Sequence, residues 1–280
     1  MTSVPAYDPA DPRPVLSLDA DNDAGPRTGV VVEVRVGRAH PGDRLPTLEQ
    51  RSGVYDWRPV HLTPDGPGAT GRFRMEVRSG STLAFLRVDP HVRARGQGDA
   101  VPVDLTMKDG ARVLARRHLA AALTTLSIVP TDMDAPARLV RRNGRWAEFD
   151  YTITNHSRSD YPRTQVEADV VCVPGPEPCP RETGKGRESK GFRAQWYDGT
   201  GWRTVMPDGD LSLSRTLTLP FVALPAGAAR TFRFRIAVDP GELDSVFIRE
   251  LQLHVGVGGT ASGASERSHA TAPADSFSLR

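Results

Sequence analysis

The sequence predicts an all-β chain of two tandem sandwich domains. Three observations carry that expectation. Short runs alternating apolar and polar residues recur along the chain, bounded by turns of Gly, Pro and Asp. A chain of 280 residues is too long for one small β domain and comfortable for two. Several stretches of the first half return in the second, the mark of an internal repeat.

The fullest repeat unit is residues 196–209. Trp196 and Tyr197 end an aromatic strand, Asp198-Gly199-Thr200-Gly201 turns, Trp202 leads the return strand, and Pro207-Asp208-Gly209 turns again. Tyr55-Asp56-Trp57-Arg58-Pro59-Val60, followed by Pro64-Asp65-Gly66, echoes it. Leu16-Ser17-Leu18 is matched by Leu126-Ser127-Ile128, and Val88-Asp89-Pro90 by Val238-Asp239-Pro240. These pairs divide the chain into a disordered segment over 1–14, a first domain over 15–123 and a second over 124–280.

Taken in order, Pro- and Asp-rich residues 1–14 are expected to be disordered. A short strand at Leu16 to Leu18 leads into a polar loop over 19–27. Val32, Val34 and Val36 alternate with Glu33 and Arg35, a half-buried strand. The first half then runs to its hairpin at Tyr55–Val60, strands over 72–77 and 83–88, and a closing pair over 101–107 and 112–121. Lys108-Asp109-Gly110 supplies the positive φ that the last turn requires. Residues 118–123 are alternatively one helical turn, since alanine is a poor strand former.

The second half opens with Phe149, Tyr151 and Ile153 on a core face and Trp146, Glu148, Asp150 and Thr152 on the other. It inserts residues 164–191, a strand and then a cysteine loop. Strands over 213–221 and 231–238 follow, with Phe232, Phe234 and Ile236 inward and Arg233 and Arg235 outward. A strand over 249–255 pairs with 275–280 across a Gly/Ser/Ala loop; a tail without structure from Gly259 is the alternative. About seven short strands per half at regular spacing give the pattern of two tandem immunoglobulin-like β-sandwich domains.

The formal charge of +2 offers no global field for nucleic acid. Nothing approaches the ~20 apolar residues that span a bilayer. The chain is expected to be a monomer. Cys172 and Cys179 flank a loop carrying Pro174, Pro176 and Pro178. As a disulfide they would contribute roughly 2–3 kcal/mol and imply an oxidising compartment; as free thiols they would fit the cytosol. Zinc lacks further ligands close by.

No motif for catalysis is present: HExxH, the P-loop, GxSxG and a strand-bounded GxGxxG are all missing. The seven histidines are scattered. Asp19, Asp21 and Asp23 resemble the start of a calcium loop, but Ala24 and Val30 stand where it needs Gly and Glu. No enzyme, cofactor or metal is therefore expected. Trp57 and Trp202 are expected to fill the two cores. Trp196 and Tyr197 lie on opposite faces of one strand, so one of them is exposed, and with Arg233 and Arg235 they form the candidate ligand face. Arg72, Arg74, Arg78 and Arg87 extend the set of outward arginines, which reads either as a surface for an acidic polymer or as a solvated sheet face.

The segments YDGTGWRTV and LPAGAARTFRFRI resemble the immunoglobulin-like repeat modules of Gram-positive surface and secreted proteins. The likeness covers roughly 126–257 and, more loosely, 16–119. It implies an exported binding or spacer module with a protein or surface polysaccharide as partner. Carbohydrate or cell-wall-polymer binding and an intracellular scaffold are the alternatives, and a scattered-residue enzyme is a further one. The start, MTSVPAYDPADPRP, lacks a secretory leader's organisation. The chain is thus expected at the cell surface or outside with its leader removed, or else in the cytoplasm.

Overall fold

The computed structural model describes residues 5–8, 11–23, 25–51, 56–95, 98–131, 139–140, 143–172, 192–205, 215–238, 250–263, 267–271 and 275–279. Among them there are strands and turns and no helix. The chain divides into two compact units, Met1–Thr125 and Leu126–Arg280.

The first unit holds β1 (Pro5–Asp8), β2 (Asp11–Asn22), β3 (Arg27–Val36), β4 (Thr47–Arg51), β5 (Trp57–Val60), β6 (Leu62–Asp65), β7 (Gly68–Val77), β8 (Gly80–Asp89), β9 (Ala100–Asp109) and β10 (Arg112–Ala122). They form two five-stranded sheets, ordered β1-β2-β8-β4-β5 and β10-β9-β3-β7-β6. Every pairing in both is antiparallel. Leu16, Leu18 and Leu86 from one sheet meet Val32, Val34 and Leu105 from the other in a single buried cluster. Each fully buried aliphatic contributes about 1.5–3 kcal/mol.

The second unit holds β11 (Leu126–Pro130), β12 (Leu139–Val140), β13 (Ala147–Asn155), β14 (Tyr161–Cys172), β15 (Phe192–Tyr197), β16 (Trp202–Val205), β17 (Arg215–Thr218), β18 (Val222–Leu224), β19 (Ala229–Val238), β20 (Glu250–Thr260), β21 (Arg267–Thr271) and β22 (Asp275–Leu279). One sheet runs β11-β13-β19-β15-β16. The other runs β12-β22-β20-β14-β17, with β18 on β14 and β21 on β20. Its core is aromatic. Phe234 stacks on Phe149 at 5.4 Å and on Tyr151 at 5.8 Å, and all three are buried.

The sheet orders coincide: β1, β2, β8, β4 and β5 occupy the places of β11, β13, β19, β15 and β16. Trp57 opens β5 and Trp202 opens β16, and four residues into each strand Val60 and Val205 are both 8 % exposed. The two units therefore match at this strand, but elsewhere the matched stretches are displaced. Leu16 to Leu18 lie in β2, whose counterpart is β13, whereas Leu126 to Ile128 lie in β11; the strand of Val32 to Val36 corresponds to β14. Arg87 pairs with Glu49 as Arg235 pairs with Gln195, so Val88 and Val238 are two residues out of register.

Two other expectations differ, and over 118–122 the strand reading holds against its helical alternative. Within 1–14, expected to be disordered, Pro5 and Ala6 of β1 pair with Leu16 and Val15 of β2. Pairing within the sheet gives this Pro- and Asp-rich stretch partners that its composition does not announce. Asp19 and Ala20 continue β2 rather than forming a loop, paired with Leu83 and Thr82. Residues 118–122 are strand, since β9 pairs with them through Val101–Ala121 and its neighbours. Cys172 ends β14, and Cys179 with the loop around it lies outside the described residues.

Candidate functional site

Along β13, β15, β16 and β19 alternate side chains face the core and the opposite side of the sheet. Phe149, Tyr151, Phe232, Phe234, Ala194 and Val205 are buried. The residues between them make the outer face. Glu148 lies opposite Arg235, Arg235 opposite Gln195, and Gln195 opposite Thr204, in one row across four strands.

Arg235 is the centre of that face. Its Nε and Nη2 both donate to Gln195 Oε1, at 2.9 and 2.6 Å. Its guanidinium carbon lies 4.0 Å from the Trp202 ring centre and 4.6 Å from that of Trp146. Glu148 is 4.0 Å away. Arg193 covers Trp146 at 5.0 Å and donates to the Gly144 carbonyl at 3.1 Å. Tyr197 meets Trp202 edge-on at 5.5 Å and 61°. The result is a ladder in which cations and rings alternate from Arg193 through Trp146 and Arg235 to Trp202, with the Tyr197 ring at its end. Each cation–π rung contributes about 0.5–1 kcal/mol when exposed and about 2 when desolvated. The Arg235 side chain is only 19 % exposed, whereas Tyr197 is 38 % exposed.

The Asp198 turn fixes the two rings at the ladder's end. Asp198 Oδ1 accepts from the Thr200 N–H at 2.8 Å, the Thr200 hydroxyl at 2.7 Å and the Gly201 N–H at 2.9 Å. Its Oδ2 accepts from Arg203 Nε at 2.6 Å. Arg203 first, then the Thr200 and Gly201 donors, hold this carboxyl well below the usual range. Gly199 takes a φ of 99° there, a conformation that glycine adopts without steric cost. Arg233 forms a two-pronged pair with Asp150 at 3.0 and 3.2 Å, and that hydrogen-bonded carboxylate raises its pKa.

Of the residues expected on a ligand face, Tyr197, Arg233 and Arg235 share one side of the sheet. Trp196 does not: it lies opposite Phe234 and packs against the core. Trp202 in turn is not a core filler. It is half-buried on the outer face, and its position three residues before inward Val205 already requires opposite faces in a strand. Trp146, which the alternation of β13 places outward, completes the face together with Gln195 and Arg193, for which the sequence offered no signal.

The first unit carries the same central pair in another setting. Arg87 lies over Trp57 at 4.4 Å, so Trp57 too is stacked on the outer face rather than filling the core. Where the second unit has Gln195, the first has Glu49, 2.6 Å from Arg87. Asp11 adds a contact at 2.7 Å and Arg13 ties both carboxylates together. The Arg87 side chain is 11 % exposed and that of Asp11 15 %. Of the other outward arginines, Arg72 pairs with Glu33 at 3.0 Å, while Arg74 and Arg78 are exposed.

Among the described residues no group of three or more His, Cys, Asp or Glu could hold a metal ion. Among them no helix is long and apolar enough to cross a membrane.

No family model matches the chain, and no curated protein matches it at a significant level. Solved structures match at the level of strand arrangement. AvmM, which catalyses macrocyclization in alchivemycin A biosynthesis, is 16 % identical over 55 % of this chain and 87 % of its own, with a TM-score of 0.36. A mutant of the CFA/I adhesin CfaE of enterotoxigenic E. coli is 10 % identical over 86 % of this chain and 81 % of its own, TM-score 0.30. The PapD-like domain 7 of human CEP192 is 9 % identical over 56 % of this chain and 84 % of its own, TM-score 0.26. With TM-scores of this size, no functional argument rests on them.

Proposed function

We propose that the protein is a non-catalytic, exported binding module of two tandem immunoglobulin-like sandwiches, the second presenting the ligand face and the first acting as spacer. The observation that carries this reading is the ladder from Arg193 to Tyr197. Tyr197, exposed and meeting Trp202 only edge-on, offers a ring face on which a pyranose can stack beside the guanidiniums of the same face, which can donate to carboxylates. The ligand class that fits both is an acidic surface polysaccharide. The closed ion-pair network around Arg87 supports the spacer role of the first unit, because its charges are already satisfied within the chain.

Retention on immobilised polygalacturonate tests the reading. Tyr197→Ala is expected to weaken retention about tenfold while changing stability by no more than about 0.5 kcal/mol. Equal retention of variant and parent, or no retention of the parent on this or any other acidic polysaccharide, would overturn it. Alkylation of native material, read by mass spectrometry, tests export separately: an oxidised Cys172–Cys179 pair is expected, and two free thiols would contradict it.

A further inference from the structure

The outer face of the other sheet in the first unit contains a groove of about 710 Å³ that the reading above does not use. Its walls come from β3, β6, β7 and β9. The register aligns its polar residues in rows. Asp104, Arg35, Thr70 and Thr63 face one another in turn across the four strands, and Thr106, Glu33 and Arg72 form the next row. Gly71 lies between the rows because β6 passes close: a Cβ there would sit 2.7 Å from the His61 carbonyl oxygen.

The lining has a definite chemical character. Its formal charges cancel, Glu33 and Asp104 against Arg35 and Arg72. Glu33 is held by Lys108 at 2.5 Å and by Arg72 at 3.0 Å, and Asp104 by His118 at 2.6 Å. No aromatic ring lines it apart from the His61 imidazole. Such a groove gives a polyanion no net attraction, and its polar side chains alternate with apolar surface such as that of Val34. Its three threonine hydroxyls each both donate and accept, beside fixed donors and fixed acceptors. Sugar hydroxyls have the same dual capacity. The repeat of the rows, about 4.8 Å from strand to strand, is close to the length of one pyranose unit.

We propose that this groove is a second binding site, independent of the face in the second unit, and that it takes a neutral oligosaccharide lying across β9, β3, β7 and β6. Calorimetric titration of the full chain with cellohexaose and chitohexaose tests this, with an oligogalacturonate as the charged control. At least one neutral oligomer is expected to bind. The double variant Thr63→Val, Thr70→Val, which keeps β-branched strand residues, is expected to weaken it about tenfold without lowering the melting temperature. Tyr197→Ala is expected to leave it unchanged. A flat trace with both neutral oligomers overturns the proposal, as does neutral binding that survives the double variant. Binding abolished by Tyr197→Ala would assign it to the second unit instead, and overturns the proposal equally.

Discussion

The same arginine–tryptophan pair sits at matching positions in both units, and its surroundings decide what each can do. In the first, Arg87 over Trp57 is enclosed by Asp11, Arg13 and Glu49. In the second, Arg235 over Trp202 has a neutral amide where Glu49 stood, and Trp146 where the register places Arg13. One copy satisfies its charge with carboxylates, the other with rings. The matching stack is a framework: beside carboxylates it is an internal ion-pair clasp, and beside rings and an amide it lies on a partly exposed face.

The largest expected effect concerns the cores beneath the two stacks. Phe234 and Leu86 each precede the central arginine, and both are buried, at 1 % and 0 % exposure. Phe234→Ala is expected to cost about 3–5 kcal/mol and Leu86→Ala about 2–5, each read by urea denaturation. Loss in only one case would break the equivalence of the two positions.

Next come the arginines themselves. Arg87→Ala leaves two partly buried carboxylates with Arg13 as their remaining cation and is expected to cost about 2–3 kcal/mol. Arg235→Ala leaves the Gln195 amide, two rings and the more exposed Glu148 carboxylate, and is expected to cost about 1–2 kcal/mol. Thermal melts of the two variants check the order; a reversed order would contradict the contrast drawn between clasp and surface.

The smallest is a difference in acid response. Burial alone would raise the Asp11 carboxyl, but hydrogen bonds from Arg13 and the charges of Arg13 and Arg87 outweigh it and hold it below its ordinary value. Lys108, against a smaller burial effect, lowers Glu33 likewise. A carboxyl depressed in the folded state stabilises above its unfolded value and loses that contribution as pH falls through the folded one. Amide protection in β2 and β8, taken relative to the intrinsic exchange rate at each pH, should therefore fall below about pH 4. Asp11→Asn should remove most of that dependence from β2, and an unchanged profile would show that Asp11 is not the clasp.

Much of this arrangement was legible in the sequence. Phe149, Tyr151 and Ile153 alternate so strictly that their strand and its inward face follow directly, and the Asp198-Gly199 turn announces its hairpin. Two kinds of feature were hidden. β1 carries Pro and Asp with no periodicity, so only its pairing with β2 makes it a strand. The tryptophans look like core residues because a sandwich needs bulk. What draws Trp57 and Trp202 outward is an arginine about thirty residues away on another strand, set there by a register that textual matching of Val-Asp-Pro misplaces by two residues. The ion pairs of Asp11 likewise join residues far apart in the chain, which no local pattern reveals.

The most direct test follows the indole N–H resonances of the four tryptophans during titration with an oligogalacturonate. The signals of Trp202 and Trp146 are expected to shift in a saturable manner, while those of Trp57 and inward-facing Trp196 stay nearly still. Movement of Trp57 in place of Trp202, or of none of the four, would contradict the claim that the second copy alone presents its stack to a ligand.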